Sequence, residues 1–279
     1  SDTVRYRCWP SDQGMERGGH PSAKVLTRSR IRGAMISVVD CRDSYVFNLV
    51  AMLRARGQEV AVVDESEVGI LSDADAVVLS PGPGRPSSDR GSWIAAERFI
   101  GSKPVLGVCL GHQVVSAVLG GSVVQAPEPS HGEIVSVKHH GEGLFEGIPD
   151  GFRAVRYNSL KVDPEIPGAG LSIDAIDESG DVMALSDGDR CVYGVQFHPE
   201  SFMTEHGGEI VDNFIEAAEQ WRRRSLSDTS RRCGSTPRWI AGTPCSWIPP
   251  CATSSAGGRT SAYVPGGSTP LKIPMPSRS

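Results

Sequence analysis

The stretch Pro104-Val-Leu-Gly-Val-Cys109-Leu-Gly-His-Gln113 narrows the fold more than any other part of the chain. An apolar run enters Gly107-x-Cys109-x-Gly111, and a helix pattern (Val114, Val115, Val118, Leu119) leaves it. Strand, sharp turn and helix in that order make a nucleophile elbow, here with cysteine where hydrolases usually carry serine. Such a turn strains the backbone of its central residue, so small neighbours are needed, and Gly107 and Gly111 supply them. It also seats the sulfur at a helix N-terminus, where free N–H groups and the helix dipole favour thiolate over thiol. A buried cysteine between two turn glycines would leave the same short pattern, so catalysis needs partners from elsewhere in the chain.

The segments before the elbow alternate between strand and helix. Met35-Ile-Ser-Val-Val-Asp40 reads as a short buried strand, and the fold is expected to start at Met35. From Ser44, a candidate N-cap, Val46, Leu49, Val50 and Leu53 share one helical face that stops near Gly57. Strands follow at Val60–Val63 and Ala76–Leu79, and the second of them runs into Ser80-Pro-Gly-Pro-Gly-Arg-Pro86. A second helix is predicted over Ser92–Ile100. Short βαβ units of this kind imply an α/β fold: a mostly parallel central sheet with helices on both faces. Sites in such sheets lie beyond the C-terminal strand ends, where both the Ser80–Pro86 loop and Cys109 fall.

After Gly121 the texture changes. Apolar segments near Ser122–Gln125, Ile134–Val137, Phe152–Val155, Leu171–Ile176, Val182–Leu185 and Val192–Phe197 are separated by Gly, Pro and Asp, which predicts a mixed or antiparallel extension of the sheet. A last helix is expected over Glu209–Trp221, with Arg222-Arg-Arg224 at its C-terminal end. Residues 1–34 read as a disordered extension or an upstream over-reading. Residues 35–224 are expected to form the folded domain, and 225–279 read as a low-complexity, disordered tail rich in Ser, Pro, Gly and Thr.

Composition limits the partners. The 279 residues carry a formal net charge of -5, which gives no reason to expect nucleic acid or an anionic membrane. No apolar run approaches membrane-spanning length, and the N-terminal residues lack a signal-peptide core. Seven cysteines without paired spacing read as reduced thiols, so a cytoplasmic location is expected. No residue set has the spacing of a metal or nucleotide site, and no cofactor is expected. His131, His139 and His140 lack a carboxylate in register.

Two further stretches supply what a cysteine nucleophile needs. In Val192-Tyr-Gly-Val-Gln-Phe197-His198-Pro-Glu200-Ser, His198 ends an apolar strand. Glu200 lies two residues on, so extended backbone would put both on one face. Glu200 can then accept one imidazole N–H and leave the other nitrogen for the sulfur. Ser80-Pro-Gly-Pro-Gly84 combines fixed prolines with glycines that allow close approach to bare N–H groups. The Gly84 and Leu110 N–H groups are therefore candidate oxyanion donors.

Over residues 35–221 the chain resembles the class I (triad) glutamine amidotransferases. The resemblance rests on S-P-G-P-G at 80–84, G-V-C-L-G-H-Q at 107–113, H-G at 131–132, R-Y-N-S-L at 156–160 and G-V-Q-F-H-P-E-S at 194–201. It implies Cys109 as nucleophile, His198 as base and Glu200 as orienter. It implies further that Gly82, Pro83, Gly84, Leu110 and Gln113 hold L-glutamine, with Ser159 and Leu160 at its α-amino and carboxylate ends. The loop, R-Y-x-S-L and F-H-P-E-S set, with Thr204-Glu-His-Gly207, is most similar to the glutaminase component of anthranilate or aminodeoxychorismate synthase. That branch implies that the partner is a chorismate-binding synthase subunit, in a heterodimer or larger assembly that receives the ammonia. Asn158 departs from the usual His, Glu133 from a usual Lys, and 40–46 is a loose version of D-N-x-D-S-F-T. Alternatives are a glutaminase serving another synthase, a cysteine hydrolase of the α/β-hydrolase type, a γ-glutamyl peptidase and a non-catalytic subunit.

Overall fold

The structure, a computed structural model, describes residues 34–233, apart from the side chains of residues 70–73 and 228–233. The expectations for residues 1–33 and 234–279 lie outside the described residues.

The first half follows the alternation of its apolar runs. Strands β1 (Met35–Asp40), β2 (Glu59–Asp64), β3 (Ala76–Leu79) and β4 (Val105–Val108) are separated by α1 (Val46–Ala55), a 3-10 segment (Glu65–Asp73) and α2 (Gly91–Phe99). Helix α3 (Leu110–Val118) leaves β4 through the single residue Cys109. Within these strands alternate side chains point to opposite faces. Ile36, Val38, Val78 and Leu106 pack with Leu49 and Leu53 of α1, whereas Val39, Val77, Leu79 and Val105 pack with Ala95 and Phe99 of α2 and Val114 of α3. Both faces of the sheet are thus covered by helices.

Tyr45, not Ser44, occupies the N-cap of α1, and it makes no side-chain capping bond. Gly57 ends the helix as expected, at φ +79°, and its N–H donates to the Arg54 carbonyl.

The second half consists of β5 (Val123–Gln125), β6 (Glu133–His139), β7 (Phe152–Arg156), β8 (Leu160–Val162), β9 (Ser172–Ile176), β10 (Val182–Asp187) and β11 (Val192–Val195). Among the described residues the main sheet runs β2-β1-β3-β4-β11-β10-β9-β6-β7, and β5 pairs with β8 in a separate ribbon. β2, β1, β3, β4 and β11 are mutually parallel, and the pairs from β10 to β7 are antiparallel. The mixed extension is present, and it bends back so that a late strand, β11, lies beside the elbow strand β4.

Helix α4 (Gly207–Cys233) closes the β1/β11 face with Ile210, Val211 and Phe214. It continues well past Trp221, where the apolar stripe that predicted it ends, and through the first nine residues of the expected tail. Arg222 and Arg223 therefore lie within the helix rather than at its end. Arg222 reaches Asp75 at 3.2 Å and Arg223 pairs with Glu219 at 3.0 Å.

Candidate active site

The parallel register between β4 and β11 brings two distant parts of the chain together. Val105 to Val108 lie opposite Val192 to Val195, and the Cys109 N–H donates to the Val195 carbonyl at 2.8 Å. Cys109 is therefore one residue beyond the end of β4, and His198 is three residues beyond the adjacent end of β11. The His198 N–H is fixed to the Val155 carbonyl at 3.2 Å, so β7 also bears on its position.

Cys109 has φ +52° and ψ −100°, a conformation that L residues avoid. Its glycine neighbours are required sterically. A Cβ on Gly107 would lie 2.3 Å from the Gly111 carbonyl oxygen, and one on Gly111 would lie 2.3 Å from that of Leu79. The elbow thus packs helix α3 directly onto strands β3 and β4, with no room for a methyl group at either hinge. Leu110 is the first residue of α3, where backbone N–H groups have no partner inside the helix.

Glu200 and His198 form a buried pair, with Oε1 2.6 Å from Nδ1. Nε2 is also buried and makes no well-formed hydrogen bond among the described residues, and the Cys109 sulfur acts on the same ring. The His198 pKa rises from 6.5 to about 10. Burial opposes the charged form, but the Cys109 sulfur and the Glu200 carboxylate, by hydrogen bonding and by charge, outweigh it. At neutral pH the imidazole in this pocket carries both protons. The ring is walled by aromatic groups, with Tyr157 edge-on at 5.2 Å and Tyr45 at 6.0 Å between centroids.

The Ser80–Gly84 loop is built into the same end of the sheet. The Ser80 hydroxyl accepts from the Cys41 N–H at 3.0 Å and donates to the Pro81 carbonyl at 2.7 Å. Gly82 packs so closely on Cys41 that a Cβ there would lie 2.6 Å from the Cys41 carbonyl oxygen and 3.0 Å from Leu110. Pro83 and Gly84 are exposed, and Gly84 adopts φ +90°.

The remaining residues are joined by a buried hydrogen-bond network. Gln113 is buried beneath the elbow, and its Nε2 donates to the Leu160 carbonyl at 2.9 Å and to Gln196 Oε1 at 3.0 Å. Leu160 O also accepts from Asn158 Nδ2 at 2.9 Å, and Asn158 Oδ1 accepts from Arg156 Nε at 3.1 Å. Arg156 is itself buried against Asp177 and Asp181, with Lys161 on Asp181. Ser159 is exposed between these anchors, and its carbonyl accepts from the Ala126 N–H at 2.9 Å. Cys109, His198, Gly82, Pro83, Gly84 and Leu110 lie in the loops and helix start that follow β3, β4 and β11, with Glu200 two residues after His198. Leu160 begins β8, directly after Ser159, and is tied to the elbow helix through the Gln113 side chain. The sequence reading assigned no role to Tyr45, Tyr157 or Gln196. Tyr157 and Gln196 lie inside the matching motifs, whereas the Tyr45 contact with His198 spans most of the chain and leaves no local signal.

Comparison with known proteins gives the family. Residues 37–218 match the family model described as glutamine amidotransferase class-I. The anthranilate synthase component 2 of Archaeoglobus fulgidus is 45% identical over 184 residues, covering 65% of this chain and 97% of that protein. The aminodeoxychorismate/anthranilate synthase component 2 of Bacillus subtilis is 40% identical over 187 residues, covering 65% of this chain and 96% of that protein. Among solved structures, a protein of Thermoplasma acidophilum described as a GMP synthase subunit superposes with a TM-score of 0.63 at 26% identity, covering 71% of this chain and all (100%) of that one. With a family match over most of its length and relatives covered almost end to end, the chain belongs to the class-I glutamine amidotransferases.

Proposed function

We propose that this chain is the glutaminase subunit of a chorismate-aminating synthase of the anthranilate or aminodeoxychorismate type. In this reading it hydrolyses the side-chain amide of L-glutamine through Cys109, His198 and Glu200 and passes the ammonia to its synthase partner. The observation that carries the reading is the meeting of the strained Cys109 elbow with the buried His198–Glu200 pair (2.6 Å) at adjacent parallel strand ends. The names of the relatives from A. fulgidus and B. subtilis supply the synthase type.

The proposed chemistry runs as a two-step acyl transfer. The Cys109 thiolate attacks the carboxamide carbon, a C–S bond forms, and the π electrons move onto oxygen. The Gly84 and Leu110 N–H groups receive that oxyanion, each donor contributing about 3–4 kcal/mol. The C–N bond then breaks, its electron pair staying on nitrogen, which takes a proton from His198 and leaves as ammonia. The γ-glutamyl thioester remains. Water gives a proton to His198 as it attacks, the C–S bond breaks, and glutamate departs. Acid–base help of this kind is worth about 10²–10⁴-fold. Glu200 holds the ring in one orientation and stabilises its positive charge. Gly82, Pro83, Gly84, Leu110 and Gln113 hold glutamine, with Ser159 and Leu160 at its α-amino and carboxylate ends.

Cys109→Ala in the assembled synthase tests this. Glutamine-dependent amination of chorismate disappears, and ammonia-dependent amination survives. Persistence of the glutamine-dependent reaction rejects the reading.

A further inference from the structure

Arg90 makes three hydrogen bonds, one to the Ser80–Gly84 loop and two to Glu65, which holds the guanidinium in place. Its Nη1 donates to the Pro83 carbonyl at 2.7 Å, while Nε and Nη2 donate to the two oxygens of Glu65 at 3.1 and 2.9 Å. Glu65 is fixed in turn, because Oε1 also accepts from the Ser92 hydroxyl at 2.7 Å and the Ser92 N–H at 3.3 Å. A bidentate guanidinium–carboxylate fork of this kind fixes direction as well as charge. The guanidinium also packs on Gly84, 3.1 Å from where a Cβ would stand.

The bonded carbonyl is not an arbitrary one. Pro83 C=O and Gly84 N–H belong to a single peptide group, which is planar, so holding the oxygen on one side sets the direction of the N–H on the other. Glycine at φ +90° leaves the chain few local restraints of its own there. A cation bonded to the carbonyl also polarises the amide and strengthens the opposite N–H as a donor.

We propose that Arg90, held by Glu65, is a positioning residue that aims the Gly84 N–H at the oxygen of the tetrahedral intermediate. The proposal rests on the glutaminase reading above. Because that N–H meets full negative charge only after the sulfur has added, its loss falls on kcat rather than KM. Glutamine hydrolysis by the full-length chain in complex with its synthase partner is compared for wild type, Arg90→Met, Arg90→Lys and Glu65→Gln, alongside alkylation of Cys109 by iodoacetamide, a displacement that builds no oxyanion. Arg90→Met lowers kcat about 10- to 100-fold, part of what deleting an oxyanion donor costs. KM and the alkylation rate stay within about twofold, Arg90→Lys recovers part of the loss, and Glu65→Gln falls between. An active wild type with an undiminished Arg90→Met kcat overturns the clamp alone. So does a parallel fall in alkylation, which would make Arg90 a support of the elbow. A wild type inert toward glutamine overturns the glutaminase reading itself, and the clamp with it.

Discussion

Glu200 Oε1 lies 2.6 Å from His198 Nδ1, with both side chains withdrawn from solvent at the end of β11. Together with the Cys109 sulfur, this carboxylate carries the His198 pKa past the penalty of burial to about 10. In the proposed reaction the imidazolium is the acid that releases ammonia, so activity is expected to persist into alkaline solution and fall as pH rises through about 10. Glu200→Gln removes a negative charge, which lowers that pKa. The alkaline limb of kcat/KM moves toward neutrality and kcat drops by about 10²–10⁴-fold. A pH–rate profile of both proteins checks it. The same raised pKa adds stability that is complete below the unfolded value near 6.5 and disappears as pH rises through about 10.

His112 behaves in the opposite sense. It is fully buried (0% exposed) on α3, and burial pushes its pKa down to about 4 against a weaker opposing effect from the Gly194 backbone. The native protein keeps the ring neutral while the unfolded chain protonates it. Its contribution to stability is therefore whole above pH 6.5 and is lost as pH falls toward 4, by roughly 3 kcal/mol in all. Urea unfolding at several pH values checks this, and His112→Leu flattens that part of the acid dependence.

The elbow glycines should tolerate no side chain. Gly107→Ala places a methyl 2.3 Å from the Gly111 carbonyl oxygen, where only a backbone shift makes room. Overpacking of this kind costs about 1–3 kcal/mol or more, and glutaminase activity is lost as α3 moves. Gly188→Ala, with no atom within 4 Å of the new methyl, stays within about 0.5 kcal/mol of wild type. Thermal unfolding of the two variants makes the comparison.

Asn158 ties the Ser159–Leu160 segment, proposed to contact glutamine, to the buried Arg156 cluster, donating to Leu160 O and accepting from Arg156 Nε. Asn158→Ala strands a buried guanidinium hydrogen and loosens the Ser159–Leu160 backbone. Stability falls by about 1–3 kcal/mol, and KM for glutamine rises with kcat far less affected. Steady-state kinetics separates the two constants.

Much of this was legible in the residues because strong local signals coincide with the site. β3 appears at the predicted Ala76–Leu79, and the elbow follows from two glycines whose close packing leaves no alternative. Other features had no local signature. β8 is only Leu160–Val162, too short for a period, and it forms because β5 offers an edge. Helix α4 outruns its apolar stripe on a polar sequence, helped by pairs such as Arg222–Asp75 that link residues far apart in the chain. The Ser44 cap failed because Ser is only one of several nearby residues able to begin the turn, and Tyr45 takes the position beside Tyr157 and His198. Arg90 and Glu65 are 25 residues apart, and only the folded chain pairs them beside the Pro83 carbonyl that Arg90 holds.

The covalent step can be observed directly. The full-length chain is mixed with glutamine, quenched in acid within the first turnovers, digested and examined by mass spectrometry. A γ-glutamyl group on the peptide bearing Cys109, absent from Cys109→Ala, is the result predicted. Glutamate formed at the wild-type rate with Cys109 never acylated, or formed equally by the alanine variant, would contradict the account.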